Sequence, residues 1–137
     1  MNKRTVNGFF YGLFMDVDLL QGMNIRAVDP RPALVDGYAL QIGARATLVP
    51  SEGRKVYGMV IAMTHADLEK LYGAPGLNEY RPEAVLAQLL HGEAVPALCY
   101  NLLTPPHPDE VNEEYAFKLR AVLAKLNFPS EYIESVL

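Results

Sequence analysis

Apolar positions along the chain change period several times, and the changes mark out short strands and helices in mixture. Val6 to Phe14 combines aromatic residues with glycines as a buried strand running into a turn does, and Met15 to Gly22 then spaces its apolar residues as a helix would. Pro30 and Pro32 make Asp29 to Asp36 a predicted loop between strands. Tyr38, Leu40 and Ile42 alternate with small or polar residues, Ala46 to Val49 is a second short strand, and Pro50 to Gly53 reads as a turn. That combination predicts a hairpin-like pair. Lys55 to Met63 is a nearly continuous apolar strand, after which Thr64 caps a short helix with Asp67 as the capping-box acid and Leu68, Leu71 and Tyr72 as its buried stripe. Arg81 to Leu90 supports two local readings: Pro82 and Glu83 open a helix that Gly92 ends, or the segment is a strand. Pro96 to Leu102 is a strand, and Asp109 to Leu126 is an amphipathic helix with Tyr115, Leu119, Val122 and Leu126 on one side. Ser130 is the predicted cap of a last helical turn carrying Tyr132, Ile133 and Val136. The fold class is α+β.

Composition narrows the setting. At 137 residues and 50% hydrophobic content, with no long linker, repeat or low-complexity segment, residues 1–137 are expected to form a single domain with a real core. The net charge of -4, with lysine and arginine scattered, lacks the basic patch that a nucleic-acid backbone needs. The single cysteine, Cys99, has no internal disulfide partner and stands in an apolar run, which points to a buried thiol and a reducing compartment. Lys3 and Arg4 precede the apolar stretch Phe9 to Met15 in the manner of a short secretory signal, but Asp16 and Asp18 interrupt it, and no other segment approaches a membrane span. The expected location is cytoplasmic, with neither nucleic acid nor membrane as partner.

Candidate chemistry is sparse. His65, His91 and His107 are far apart, and no HExxH or CxxC spacing exists, so no metal site is expected. Neither a GxSxG elbow nor a glycine-rich phosphate loop is present, so neither a hydrolase triad nor a nucleotide cofactor has support, and no cofactor is expected. What remains is Phe10-Tyr11-Gly12-Leu13-Phe14, where a strand ends in a glycine turn whose amides either face an anionic group or simply serve packing.

An ordered series of features resembles the γ-glutamylcyclotransferase-like superfamily. Tyr11-Gly12-Leu13-Phe14 is similar to the family's first strand ending, Tyr-Gly-Ser/Thr-Leu/Asn. The strand pair around Gly37-Tyr38-Ala39-Leu40 and Gly43 to Pro50 follows, then Val56-Tyr57-Gly58 as the Val-x-Gly strand, then the short helix. Tyr80-Arg81, Gly92 and Ala97-Leu98-Cys99-Tyr100 resemble the later steps, and Phe128 to Ile133 is similar to the family's final Leu-Pro-x-x-Tyr-Ile helix start. The resemblance spans nearly the whole chain and favours the strand reading of Arg81 to Leu90. It implies a small mixed β-barrel with flanking helices, in which the Tyr11 to Phe14 loop binds a γ-glutamyl substrate. The implied reaction closes the substrate's α-amine onto its own γ-carbonyl, expelling an amine and leaving 5-oxoproline. Such a closure profits from orientation and requires a base for the amine.

The family supplies that base as a glutamate in a Leu-Asp-x-x-Glu-Gly context. Here Leu68-Glu69-Lys70-Leu71-Tyr72-Gly73 places Tyr72 at its position. A phenol with a pKa near 10 is ionised in about one molecule per thousand at neutral pH. Glu69, Glu79 and Glu83 are the replacement candidates. Glu69 and Glu79 have a solvated surface role as the default, whereas strand alternation sets Arg81, Glu83 and Val85 on one face and allows Glu83 to point inward. Glu83 is therefore the proposed base, with a surface carboxylate as the equal alternative, and Arg81 either holds the substrate's charge or pairs with Glu83. Three functions compete: a cyclotransferase acting on a γ-glutamyl amine or peptide, a non-catalytic member binding a small amino-acid-like ligand, and an interaction module presenting the apolar C-terminal tail. No pattern specifies an oligomeric state. The carboxylates' positions relative to the Tyr11 to Phe14 loop separate the first two.

Overall fold

The computed structural model describes residues 4–73 and 76–136. Five strands close into a barrel in the order β1 (Thr5–Phe10), β3 (Ala46–Thr64), β2 (Val28–Ile42), β4 (Tyr80–Leu89), β5 (Ala94–Leu102). All neighbours are antiparallel except β1 and β5, which run parallel and meet at Gly8 and Leu98. The helices are α1 (Val17–Gly22), α2 (His65–Tyr72), α3 (Glu113–Lys125) and α4 (Ser130–Ser135), with a 3₁₀ turn at Leu13–Met15. This is the expected α+β class, a mixed barrel with flanking helices.

Two apolar clusters account for the arrangement. Inside the barrel, Phe9, Val35, Leu48, Val56, Val60, Ala87, Leu89 and Cys99 interdigitate. On the outer face of β1 and β3, Phe10, Met59, Ile61 and Met63 meet Leu20, Leu68, Leu71, Leu119, Leu123 and Phe128 from the helices and the loop after α3. β3 is thus covered on both faces, which explains why 59–63 reads as an unbroken apolar run. Gly58 lets β1 approach β3: a Cβ there would collide with the Phe10 carbonyl oxygen and the Phe9 ring.

Three expectations are corrected. The segment Asp29 to Asp36 is strand, not loop. Pro30 falls in an irregular step between the Val28 and Arg31 pairs, and β4 joins β2 only at Ala33 and Leu34, so neither proline must donate to a ladder on that side. Pro50 to Gly53 does not reverse the chain. The reversal lies at 43–45, and the register jump from the Asp36–Lys55 pair to the Tyr38–Pro50 pair absorbs 51–54 as a bulge. Gly37 and Gly53, both in the left-handed region at φ 86° and 81°, make that bend. Ser130 is the first residue of α4 rather than its cap; Pro129 precedes the helix and no side chain caps it. Thr64 does cap α2, its hydroxyl accepting the Asp67 amide at 3.2 Å. Arg81 to Leu89 is strand, as is the Cys99 segment, and Cys99 is fully buried. Among the described residues no helix is long and apolar enough to cross a membrane.

Candidate functional site

The chain leaves β1 at Phe10 and turns through Tyr11 and Gly12 into the 3₁₀ turn, and this corner opens onto a cavity of about 310 Å³. Tyr11, Gly12, Leu13 and Phe14 all line it. Gly12 is needed because an added Cβ would lie 2.5 Å from the Tyr115 hydroxyl, contributed by the first turn of α3. The Gly12 and Leu13 carbonyls accept the Met15 and Asp16 amides at 3.0 and 3.1 Å. The Gly12 and Phe14 amides donate to no backbone carbonyl among the described residues, and the Leu13 amide faces the Tyr115 phenol oxygen. The corner is therefore polar without being spent in the sheet.

Tyrosines dominate the opposite wall. Tyr72, at the end of α2, is stacked on Tyr100 with ring centres 4.0 Å apart and planes 9° apart, meets Tyr80 at 5.7 Å, and takes the edge of Phe14 at 5.9 Å. Tyr11 donates to the Tyr100 carbonyl at 2.8 Å, and Tyr80 donates to the Ala46 carbonyl. Burial, the largest cause in each case, pushes the Tyr72 and Tyr11 hydroxyls well above the usual phenol range, and Tyr115 up to about 12. All stay neutral at physiological pH.

Arg45 is the only charged residue in the lining among the described residues. It stands at the tip between β2 and β3, where its Nη1 donates to the Gly76 carbonyl at 3.2 Å and the Glu79 carboxylate at 3.0 Å. The tip itself is pinned. Glu110 accepts the Ala44 amide at 3.0 Å and the His107 amide at 2.7 Å, and Asn112 donates to the Gly43 carbonyl at 3.0 Å while capping α3 through the Tyr115 amide. The two amide hydrogen bonds hold the Glu110 carboxyl below the usual range.

Of the residues singled out from sequence, Tyr11, Gly12, Leu13, Phe14 and Tyr72 share this cavity; Glu83 and Arg81 lie outside its lining. Glu83 shares its alternation with buried Val85, Ala87 and Leu89, yet Glu83 itself is exposed and accepts from the Asn101 side chain at 3.0 Å. Arg81 is exposed and donates to the Asn78 and Tyr80 carbonyls at 2.7 and 3.0 Å, so it does not pair with Glu83. Glu69 and Glu79 are both exposed, Glu79 on Arg45. The residues sequence reasoning missed are Arg45, Tyr80 and Tyr115 as cavity groups. Tyr115 was legible as part of a helix stripe, but nothing in its spacing shows that the stripe ends in a cavity. Among the described residues no three His, Cys, Asp or Glu side chains gather as a metal site would require.

The chain thus forms a closed mixed barrel with flanking helices, whose first strand ends in a polar glycine corner over a small aromatic cavity. The chain belongs to the family described as γ-glutamyl cyclotransferase, AIG2-like, which matches residues 8–118. Among solved structures, one described as a γ-glutamyl cyclotransferase superposes with a TM-score of 0.78 at 19% identity, covering 97% of this chain and 86% of that one. An uncharacterized Homo sapiens protein gives 0.77 at 19% identity, with 98% and 87% covered, and an Arabidopsis thaliana protein solved in solution gives 0.68 at 23%, with 94% and 97% covered. At these identities the likeness establishes the fold. No curated protein matches the chain by sequence.

Proposed function

We propose that this chain is a ligand-binding member of its family, holding a small amino-acid-like molecule in the cavity beside Tyr11 to Phe14 without cyclising it. One observation carries the reading: among the described residues the cavity wall holds no carboxylate, and Tyr72 stands where the family resemblance calls for the base. Cyclisation of a γ-glutamyl compound requires its α-ammonium to lose a proton before it attacks the γ-carbonyl, and a positioned base is typically worth about 10²- to 10⁴-fold in rate. A phenol whose pKa burial has raised further is less able to take that proton than a free tyrosine. Binding needs none of this. The Gly12 and Phe14 amides supply donors to the ligand's polar end, and Phe14 and Tyr72 supply an apolar wall. The single buried thiol supports a reducing compartment, and with it a cytoplasmic setting as part of the proposal.

The experiment is 5-oxoproline release from a panel of γ-glutamyl amines and dipeptides, run beside calorimetric titration of the same compounds. Saturable binding with no release above the uncatalysed rate is expected, in the wild type and in Glu83→Gln alike. Release by the wild type that Glu83→Gln abolishes would reject the reading and make the protein a cyclotransferase with Glu83 as its base.

A further inference from the structure

The ligand-binding reading leaves open what kind of polar group the cavity selects, and Arg45 answers it. Both hydrogens of its Nη1 are engaged, by the Gly76 carbonyl and by Glu79. The other edge of the guanidinium, Nε with Nη2, has no partner among the described residues, and Arg45 belongs to the cavity lining. That edge carries parallel N–H donors with the spacing of the two oxygens of a carboxylate. A lysine in its place would offer a point charge and no such fork.

An arginine side chain is ordinarily mobile, and a receptor needs it held. Here the backbone beneath it is fixed by Glu110 and Asn112 at the hairpin tip, and the head is fixed by two acceptors on one side only. The effect is to present the unused edge in one orientation. The remaining wall is uncharged: Phe14, Leu19, Leu77 and Tyr72 surround the space with apolar or aromatic surface, and the described lining contains no anion to compete for Arg45 from inside. Glu79 approaches from the solvent side, with a side chain 68% exposed against 33% for Arg45, so water screens it from a second carboxylate.

We infer that Arg45 is the specificity-determining residue of this cavity, receiving the carboxylate of a small monocarboxylic acid whose apolar or aromatic body lies against Phe14, Leu19, Leu77 and Tyr72. The inference rests on the ligand-binding reading and adds the ligand's class to it. Glu79 and Gly76 act through Arg45 and are positioning groups.

The test uses 3-phenylpropanoate and its neutral counterpart, 3-phenylpropanamide, titrated into the full chain by calorimetry, with the methyl resonances of Leu13, Leu19 and Leu77 reporting where each binds. The wild type is expected to prefer the acid by about ten- to a hundredfold, the range of a hydrogen-bonded ion pair against its neutral equivalent. Arg45→Gln should bring that ratio to about one by weakening the acid far more than the amide, and Arg45→Lys should restore part of the preference. Thermal unfolding of both variants checks that they fold; the conservative Arg45→Lys carries the test if Arg45→Gln does not. Equal binding of acid and amide by the wild type, with the methyls of the three leucines shifting, would overturn the inference and leave the ligand-binding reading standing. No saturable binding of either would overturn the inference, and the titration of γ-glutamyl compounds would then decide the ligand-binding reading separately. A preference for the acid that survives in Arg45→Gln would assign the carboxylate to the amides of the Tyr11 to Phe14 corner and remove Arg45 from the site.

Discussion

Gly12 and Tyr115 occupy each other's space so closely that only a glycine fits the corner. A Cβ at position 12 would lie 2.5 Å from the Tyr115 hydroxyl, and the ring cannot retreat without leaving the Leu13 amide it faces. Gly12→Ala is therefore expected to destabilise the fold by about 1–3 kcal/mol, the range for overpacking, and to weaken ligand binding because the displaced ring moves into the cavity. Denaturant unfolding read beside calorimetric titration checks it; an unchanged midpoint with unchanged affinity would show that the corner has room. Cys99 makes the opposite case, a residue whose surroundings remove its chemistry. It is fully buried on the inner side of β5, its thiol donating to the Asn101 side-chain Oδ1 at 3.7 Å, and burial pushes the thiol up to about 12. Only the thiolate reacts. The native protein is expected to resist thiol reagents at neutral pH and to be labelled stoichiometrically once denatured; rapid native labelling would contradict the packing described.

At the scale of elements, the tip between β2 and β3 is held by one carboxylate bridging two loops. Glu110 takes the Ala44 and His107 amides, and those bonds lower its pKa. The sign follows from linkage: a carboxyl depressed in the folded state contributes its clamp above the ordinary glutamate value, about 4.3, and loses it as pH falls through the depressed folded value. The Ala44 and His107 amide resonances are expected to titrate together below the ordinary glutamate range, and in Glu110→Gln to show no such transition. Titration of the two at different midpoints would separate the loops. None of this was visible in the residue order, because Gly43 to Arg45 and His107 to Asn112 are joined only by the fold. What was visible was local. Thr64 and Asp67 announced the start of α2, and alternation over Arg81, Glu83 and Val85 fitted β4 once the family resemblance had favoured a strand over a helix. Failures came where a local signal had a non-local use. Pro30 and Pro32 read as a loop because prolines weaken a ladder, yet they sit where β4 has not joined β2. Pro50 to Gly53 has turn composition and serves a bulge in a strand of 19 residues.

On the scale of the whole molecule, the site is half legible for the same reason. The Tyr11 to Phe14 corner is contiguous and carried its own signal, whereas Arg45 and Glu79 are 34 positions apart with no periodicity linking them. The tyrosines show most plainly what folding adds. Eight are spread through the sequence, and seven of them have hydroxyls raised above the usual phenol range, each with burial as the largest cause. An unfolded chain releases these protons near pH 10, while the folded chain retains them, Tyr115 up to about 12. Because the unfolded state then binds fewer protons, stability falls as pH rises, by about 1.4 kcal/mol per pH unit for each buried phenol still held, with Tyr38 and Tyr100 adding little because water screens them. The contribution is fully present below pH 10 and is lost on the way through the folded values. Denaturant midpoints measured from pH 8 to 12 are expected to be level at first and to drop steeply above pH 10, with phenolate absorbance of the native protein lagging that of the unfolded chain. Tyr115→Phe should make the drop shallower, since one of the retained protons is gone. A midpoint independent of pH across that range, or native tyrosines that ionise together with the unfolded ones, would mean that the cavity wall is open to water and that its phenols are available as bases after all.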